Sequence, residues 1–229
     1  MSKYDAKKEW TKDILSEKEM TYPSEYVIRI FKGSYPKLNF DKSSFDGKKI
    51  CDVGCGDGRN LALLHRCGFD TYGIELTKEI VDKVTHDLNK LGINSEIRVG
   101  TNQNIPFVDN FFDFLLSWNS CYYMGENRNF DAHVKEFSRI LKQDGYLVLS
   151  IPKKSCFIYH GSEALESGYQ IIRNDPFNIR NGEILRMFND EAEIEKIFSP
   201  YFKNFIFASV HDDCFGFDYH WHLAICQKR

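Results

Sequence analysis

The residues best placed to do chemistry fall in one stretch, Asp52-Val53-Gly54-Cys55-Gly56-Asp57-Gly58. A short apolar run leads into three glycines at alternate positions, and a helical pattern, Leu61-Ala62-Leu63-Leu64-His65, follows. Glycine lets the backbone turn tightly and lets a ligand approach where a Cβ would stand. The helix start offers N–H groups that its own turns leave unpaired. A loop that cradles a pyrophosphate runs G-x-G-x-x-G; the spacing here differs, and Asp52 and Asp57 would repel a pyrophosphate while attracting a cation. A second acid, Glu75, ends the strand-like run Phe69–Glu75, 21 positions after Gly54. That separation is where a doubly wound sheet holds a ribose diol, and a carboxylate can accept from both hydroxyls.

The pattern D-x-G-x-G-x-G at Asp52–Gly58 resembles motif I of the class I S-adenosylmethionine-dependent methyltransferases. The segment Ile97–Phe107 is similar to the adenine-binding loop of that family. Thr101 stands where many members carry an acid, which leaves Asn102 and Gln103 as the expected adenine contacts. Asp109–Ser120 is similar to the fourth motif, ending in Ser117, Trp118 and Asn119 at the ligand-binding edge. Leu141–Pro152 looks like the fifth strand, with Asp144-Gly145 in place of the usual turn. The resemblance covers about residues 45–152. It implies S-adenosylmethionine (SAM) as cofactor and S-adenosylhomocysteine as product, with Asp52, Gly54, Cys55, Gly56, Asp57, Glu75 and Leu76 at the cofactor. It also implies an α/β fold: a Rossmann-like, doubly wound, seven-stranded, mostly parallel sheet with an antiparallel last strand and helices on both faces.

The elements needed to position these residues can be read from periodicity. Strands and helices alternate from Lys48 to Ile151, the pattern of βαβ units. Val81, Val84, Leu88 and Leu91 form one helical core stripe, and Val134, Phe137, Ile140 and Leu141 another. Pro23 and Ser24 open an expected helix to Lys32. Residues 1–44 are expected to form a helical cap over the cofactor, with Trp10, Tyr22 and Pro23 covering the sulfonium. Residues 153–188, polar and aromatic without a clear period, are expected to form an irregular substrate-binding lid. A helix over Asp190–Phe198 and strands over Asn204–Val210 and Tyr219–Gln227 close the single domain, residues 1–229.

Methyl transfer is an in-line displacement in which alignment does most of the work, and a hydroxyl acceptor also needs a base. His220 and His222 share one strand face and, with His211, are the candidate catalytic residues. Tyr122, Tyr123, His160 and Arg180 are the expected substrate contacts. H-x-H lacks a third ligand at clear spacing, so no metal is expected.

Composition bounds the rest. The chain has 229 residues, a net charge of −3 and no basic block, so a nucleic-acid partner is not expected. Its 7 cysteines form no C-x-x-C pair, which suits a reducing cytoplasm. The N-terminus is charged and unlike a secretory signal, and no apolar run is long enough to span a bilayer. The leading expectation is methylation of an oxygen or nitrogen of a polar small molecule, such as a sugar or metabolite, by a monomer or homodimer. The alternatives are a protein or RNA acceptor, a nicotinamide dehydrogenase, and a SAM-binding protein without turnover.

Overall fold

A computed structural model describes residues 5–38, 40–125 and 128–229. Met1–Tyr4 and Asn39 of the expected cap lie outside these. The strands are β1 (Lys49–Val53), β2 (Asp70–Glu75), β3 (Glu96–Val99), β4 (Phe112–Ser117), β5 (Tyr123–Met124), β6 (Leu141–Pro152), β7 (Glu163–Ala164), β8 (Tyr169–Ile171), β9 (Ile184–Arg186), β10 (Phe202–Cys214) and β11 (Phe217–Lys228). The helices are α1 (Ala6–Ser16), α2 (Glu25–Lys32), α3 (Arg59–Arg66), α4 (Lys78–Lys90), α5 (Phe130–Ile140) and α6 (Glu191–Phe198).

The main sheet has seven strands in the order β10-β11-β6-β4-β1-β2-β3. β11 runs antiparallel to both its neighbours, and the other pairings are parallel. The chain builds outward from β1 to β3 and then returns to place β4 on the other side of β1. The C-terminal end of β1 is therefore the topological switch point, where open α/β sheets bind ligands.

Strand alternation sorts the core into two faces. Ile50, Phe114, Leu116, Val148, Leu223 and Ile225 pack with Val27, Ile30 and Phe31 of α2 and Leu64 of α3. Cys51, Leu115, Leu147, Leu149 and Ala224 pack with Val134 and Phe137 of α5 and Ile194 and Phe198 of α6. α3 and α4 meet beneath β3 through Leu61, Ile80, Val84 and Leu88. Leu91 leaves the expected stripe: as the C-cap of α4 it is 52% exposed. α2 is sheet core, so within residues 1–44 only the segment before it lies toward the ligand edge.

Residues 153–188 depart from the irregular lid expected of them. They supply β7, β8 and β9, which with β5 make a second sheet in the order β5-β9-β8-β7. β5 follows directly from the loop after β4, and Tyr123 pairs with Leu185. This antiparallel sheet is thereby fastened to the ligand edge of the main one.

Phe114 is buried among aromatic rings, with centroids 5.2 Å from Phe69, 5.6 Å from Phe45 and 5.1 Å from Tyr146. Phe114→Ala is expected to cost about 3–5 kcal/mol in urea unfolding. A loss under 1 kcal/mol would show that this cluster does not hold α2 to the sheet.

Candidate cofactor and acceptor site

β1 delivers Asp52 to the switch point, and the chain then turns through Gly54 (φ 76°) and Gly56 (φ 58°), both left-handed. A Cβ on Gly54 would lie 2.6 Å from Ser120 Oγ, so the loop after β4 packs directly on this turn. A Cβ on Gly56 would meet nothing within 4 Å, and this face of the loop is open.

Asp52 is 1% exposed, and neither carboxylate oxygen has a hydrogen-bond partner among the described residues. Burial, then the nearby Glu75 carboxylate, push its pKa well above the ordinary value; Asn60, outside hydrogen-bonding geometry, and Arg59 offset part of this. Glu75 is also buried, with its pKa pushed up to about 7 by burial. Its Oε1 accepts from the Gly56 N–H at 2.6 Å and its Oε2 from the Leu76 N–H at 2.9 Å. Glu75 thus braces the glycine loop, and each oxygen retains a lone pair for a further donor. Two buried acids with no cation in hydrogen-bonding contact, beside an open glycine face, fit a cationic ligand better than an anionic one.

Asp57 has a different role from the one expected. Its Oδ2 accepts from the Thr21 N–H at 2.8 Å and the Thr21 hydroxyl at 2.6 Å, while its Oδ1 accepts from the Arg59 N–H at 3.2 Å. Asn60 Oδ1 accepts from the Ser24 N–H. The loop therefore clamps the segment between α1 and α2, and the Asp57 carboxylate is spent on that contact. The side chain of Cys55 packs into the core beside Gly73, leaving only its backbone toward the loop. Tyr22 projects into solvent, 92% exposed.

The other expected cofactor residues divide between rim and core. Asn102 Nδ2 donates to the Ser120 carbonyl at 3.0 Å, joining the loop after β3 to the loop after β4. Gln103 lies beside it, half-buried, and its N–H donates to Thr101 Oγ1. Asn119 is exposed, has φ 57°, and is held by Ser150 through its N–H and Oδ1, both at 2.8 Å. Trp118 packs in the core with α2, and Ser117 is fully buried.

The histidines lie toward the same edge but away from Asp52, since His222 pairs with Ile151 near the C-terminal end of β6. His222 sits beside Ile151, whereas Asp52 sits beside Leu116, so the two point to opposite faces of the sheet. β4 and β6 also lie between β1 and β11, a span of about 14 Å at the usual strand spacing. His222 is buried near Glu191, 3.9 Å away, and burial lowers its pKa to about 4. His220 Nδ1 contacts Ser155 Oγ at 2.8 Å, and His211 Nε2 contacts Lys153 Nζ at 2.9 Å. His160 is exposed, 3.7 Å from Asp218.

Aromatic side chains gather at the edge instead. Tyr122, expected at the substrate, is core at 1% exposed, where it stacks on Tyr123 at 4.9 Å and meets Trp221 at 6.0 Å. Trp10 of α1 reaches Tyr123 edge-on at 5.9 Å. Arg180 donates from Nε to Tyr123 Oη at 2.9 Å and from Nη1 to the fully buried Asp175 carboxylate at 3.0 Å. From the sequence, Asp175 and Glu183 were expected only among the scattered charges, with Arg173 and Arg186, that suit a polar acceptor, and Trp221 had no role. Alternation places Trp221 opposite the histidines, and the ring contact shows that it meets Tyr122.

Comparison with known proteins agrees with this geometry. Residues 51–149 match the family described as Methyltransferase domain. An uncharacterized methyltransferase of Bacillus subtilis, YcgJ, is 28% identical over 102 residues, 44% of this chain and 39% of that protein. A tRNA (carboxymethyluridine(34)-5-O)-methyltransferase of Arabidopsis thaliana is 28% identical over 119 residues, 51% of this chain and 27% of that protein. The chain thus spans well under half the length of these relatives. A crystal structure of a SAM-dependent methyltransferase from Methanosarcina mazei has the same fold, with a TM-score of 0.66 at 20% identity, covering 85% of this chain and 98% of that one. Residues 51–149 thus carry the match to a methyltransferase domain, and the chain as a whole has the fold of the SAM-dependent methyltransferase from Methanosarcina mazei.

Two predictions follow from the buried acids. Asp52→Asn is expected to stabilise the ligand-free protein by about 1–3 kcal/mol while weakening SAM binding at least tenfold. Urea unfolding and calorimetry read the two effects; lower stability together with unchanged affinity would contradict the account. A folded pKa near 7 for Glu75, against an ordinary 4.5, gives a contribution to stability that is complete below pH 4.5 and lost as pH rises to 7. Glu75→Gln should flatten the fall in Tm over that window, and a parallel curve would contradict this.

Proposed function

We propose that this protein transfers the methyl group of SAM to an oxygen or nitrogen of a polar small molecule. The observation that carries the reading is Asp52, a buried acid without a hydrogen-bond partner at the switch point, beside the open face of Gly56. SAM, when bound, supplies an electrophilic methyl on a positively charged sulfur and a good leaving group. In this reading Asp52 provides negative potential to the cationic end, and Glu75 and Leu76 lie where the ribose is held. Asn102 and Gln103 flank the adenine, and Asn119 lines the edge of the site.

A small acceptor is favoured because two separate elements enclose this edge. α1 approaches the start of α4, where Thr11 and Thr77 hydroxyls lie 3.4 Å apart, and the second sheet brings Arg180 against Tyr123. Trp10 closes the gap between them. Tyr123 and Arg180 are assigned to the acceptor wall, with the buried Tyr122 packed behind Tyr123. An RNA acceptor, as named for the Arabidopsis relative, finds less support in a chain of net charge −3.

Melting curves with SAM, S-adenosylhomocysteine and NAD test the reading. A ligand at about 100 times its Kd adds about 2.7 kcal/mol, or roughly 5–11 °C for a domain of this size. SAM and S-adenosylhomocysteine are expected to give that shift. A shift with NAD alone would end the proposal.

A further inference from the structure

We propose that the cleft between the loop after β6 and the start of α6 binds a free α-amino acid, its ammonium bridging His222 and Glu191 and its carboxylate meeting Lys153 and Lys154. This site is separate from the glycine loop and does not rest on the reading of that loop as a SAM site.

The cleft has a volume of about 880 Å³. Lys153, Lys154 and Ser155, which follow β6, form one wall. Asp190 and Glu191 at the start of α6 form another, and His222 of β11 completes the lining. β6 and β4 separate β11 from β1, so this is a second place on the molecule and not an extension of the space beside Asp52.

One atom in the lining lacks a partner. His222 is only 6% exposed, and its Nδ1 has no hydrogen bond among the described residues. Glu191 Oε1 lies 3.9 Å from that nitrogen, beyond hydrogen-bonding reach. Burial first, and then the Lys153 charge, lower the His222 pKa to about 4, with Asp190 opposing them. At neutral pH the ring is therefore uncharged, and its contact with Glu191 is not an ion pair. With the ring proton on Nε2, Nδ1 offers a lone pair, so two acceptors face one another across the gap. A nitrogen donor at about 2.9 Å from each fits between them. An ammonium has three N–H groups to spend there, and its charge also answers the Glu191 carboxylate.

The opposite wall decides what else the ligand carries. Lys153 Nζ donates to Ser209 Oγ at 3.0 Å and contacts His211 Nε2 at 2.9 Å, and neither is a carboxylate. Lys154 is exposed on a flexible stem that can follow a bound anion. Ser155 Oγ is paired with His220 Nδ1, and Asp190 Oδ1 is spent on the Glu193 N–H as the N-cap of α6. A phosphate or a lone carboxylate in this cleft would face Asp190 and Glu191; a simple amine would face Lys153 and Lys154. A ligand with an ammonium and a carboxylate on the same carbon answers both walls.

Titration calorimetry of the full chain with each of the common amino acids, first without and then with saturating S-adenosylhomocysteine, tests this. At least one amino acid should bind, with the same affinity in both conditions. Its amine lacking the carboxylate, and its acid lacking the amino group, should bind about tenfold more weakly or worse. Glu191→Gln and Lys154→Ala alter solvent-reaching side chains and should each weaken the amino acid about tenfold. Inorganic phosphate is the control for a plain anion site. Binding of phosphate in preference to every amino acid, no binding by any of them, competition by S-adenosylhomocysteine, or unchanged affinity in both variants would overturn the inference and leave the SAM reading intact.

Discussion

A carboxylate taken out of water without a partner is among the least favourable things a fold can contain, and this one contains Asp52. The strand carrying it is central, flanked by β2 and β4, so its position is not open to relaxation. Glu75 at the end of β2 adds a second buried acid and is tied to the glycine loop itself. The cost is localised where the chain reverses its direction of building, and a cationic ligand there would remove it. Stability given up at this point is intelligible as preparation for binding.

The glycine loop also organises what surrounds it. Asp57 and Asn60 hold the backbone of Thr21 and Ser24, so the loop that offers its open face to a ligand also anchors the chain leading from α1. α1 in turn reaches the second sheet through Trp10. Ligand loop, helix and second sheet are thus one continuous set of contacts, and a change at the loop would be felt where the acceptor is expected to lie. The histidines take no part in this set: His222 faces Glu191 of α6, and β6 and β4 lie between its strand and β1.

Much of the fold was legible because it rests on period and local chemistry. The three glycines, the acid 21 positions later, and the stripes Val84–Leu88 and Val134–Phe137 each declare themselves within a few residues. The second sheet did not, since strands of two or three residues are too short to show alternation. The bond from Asp57 to Thr21 spans 36 positions and leaves no local trace. For His220 and His222, alternation identified a shared face but not which one. That depends on register with β6, a long-range property.

The central claim is that acids beneath an open glycine turn hold a cationic sulfur nucleoside. A crystal structure of the protein grown with S-adenosylhomocysteine tests it most directly. The account predicts density along Gly54–Gly58, with the ribose at Glu75 and the amino-acid end toward Asp52. Density elsewhere, with Glu75 still closed on the Gly56 N–H and the loop face empty, would contradict it.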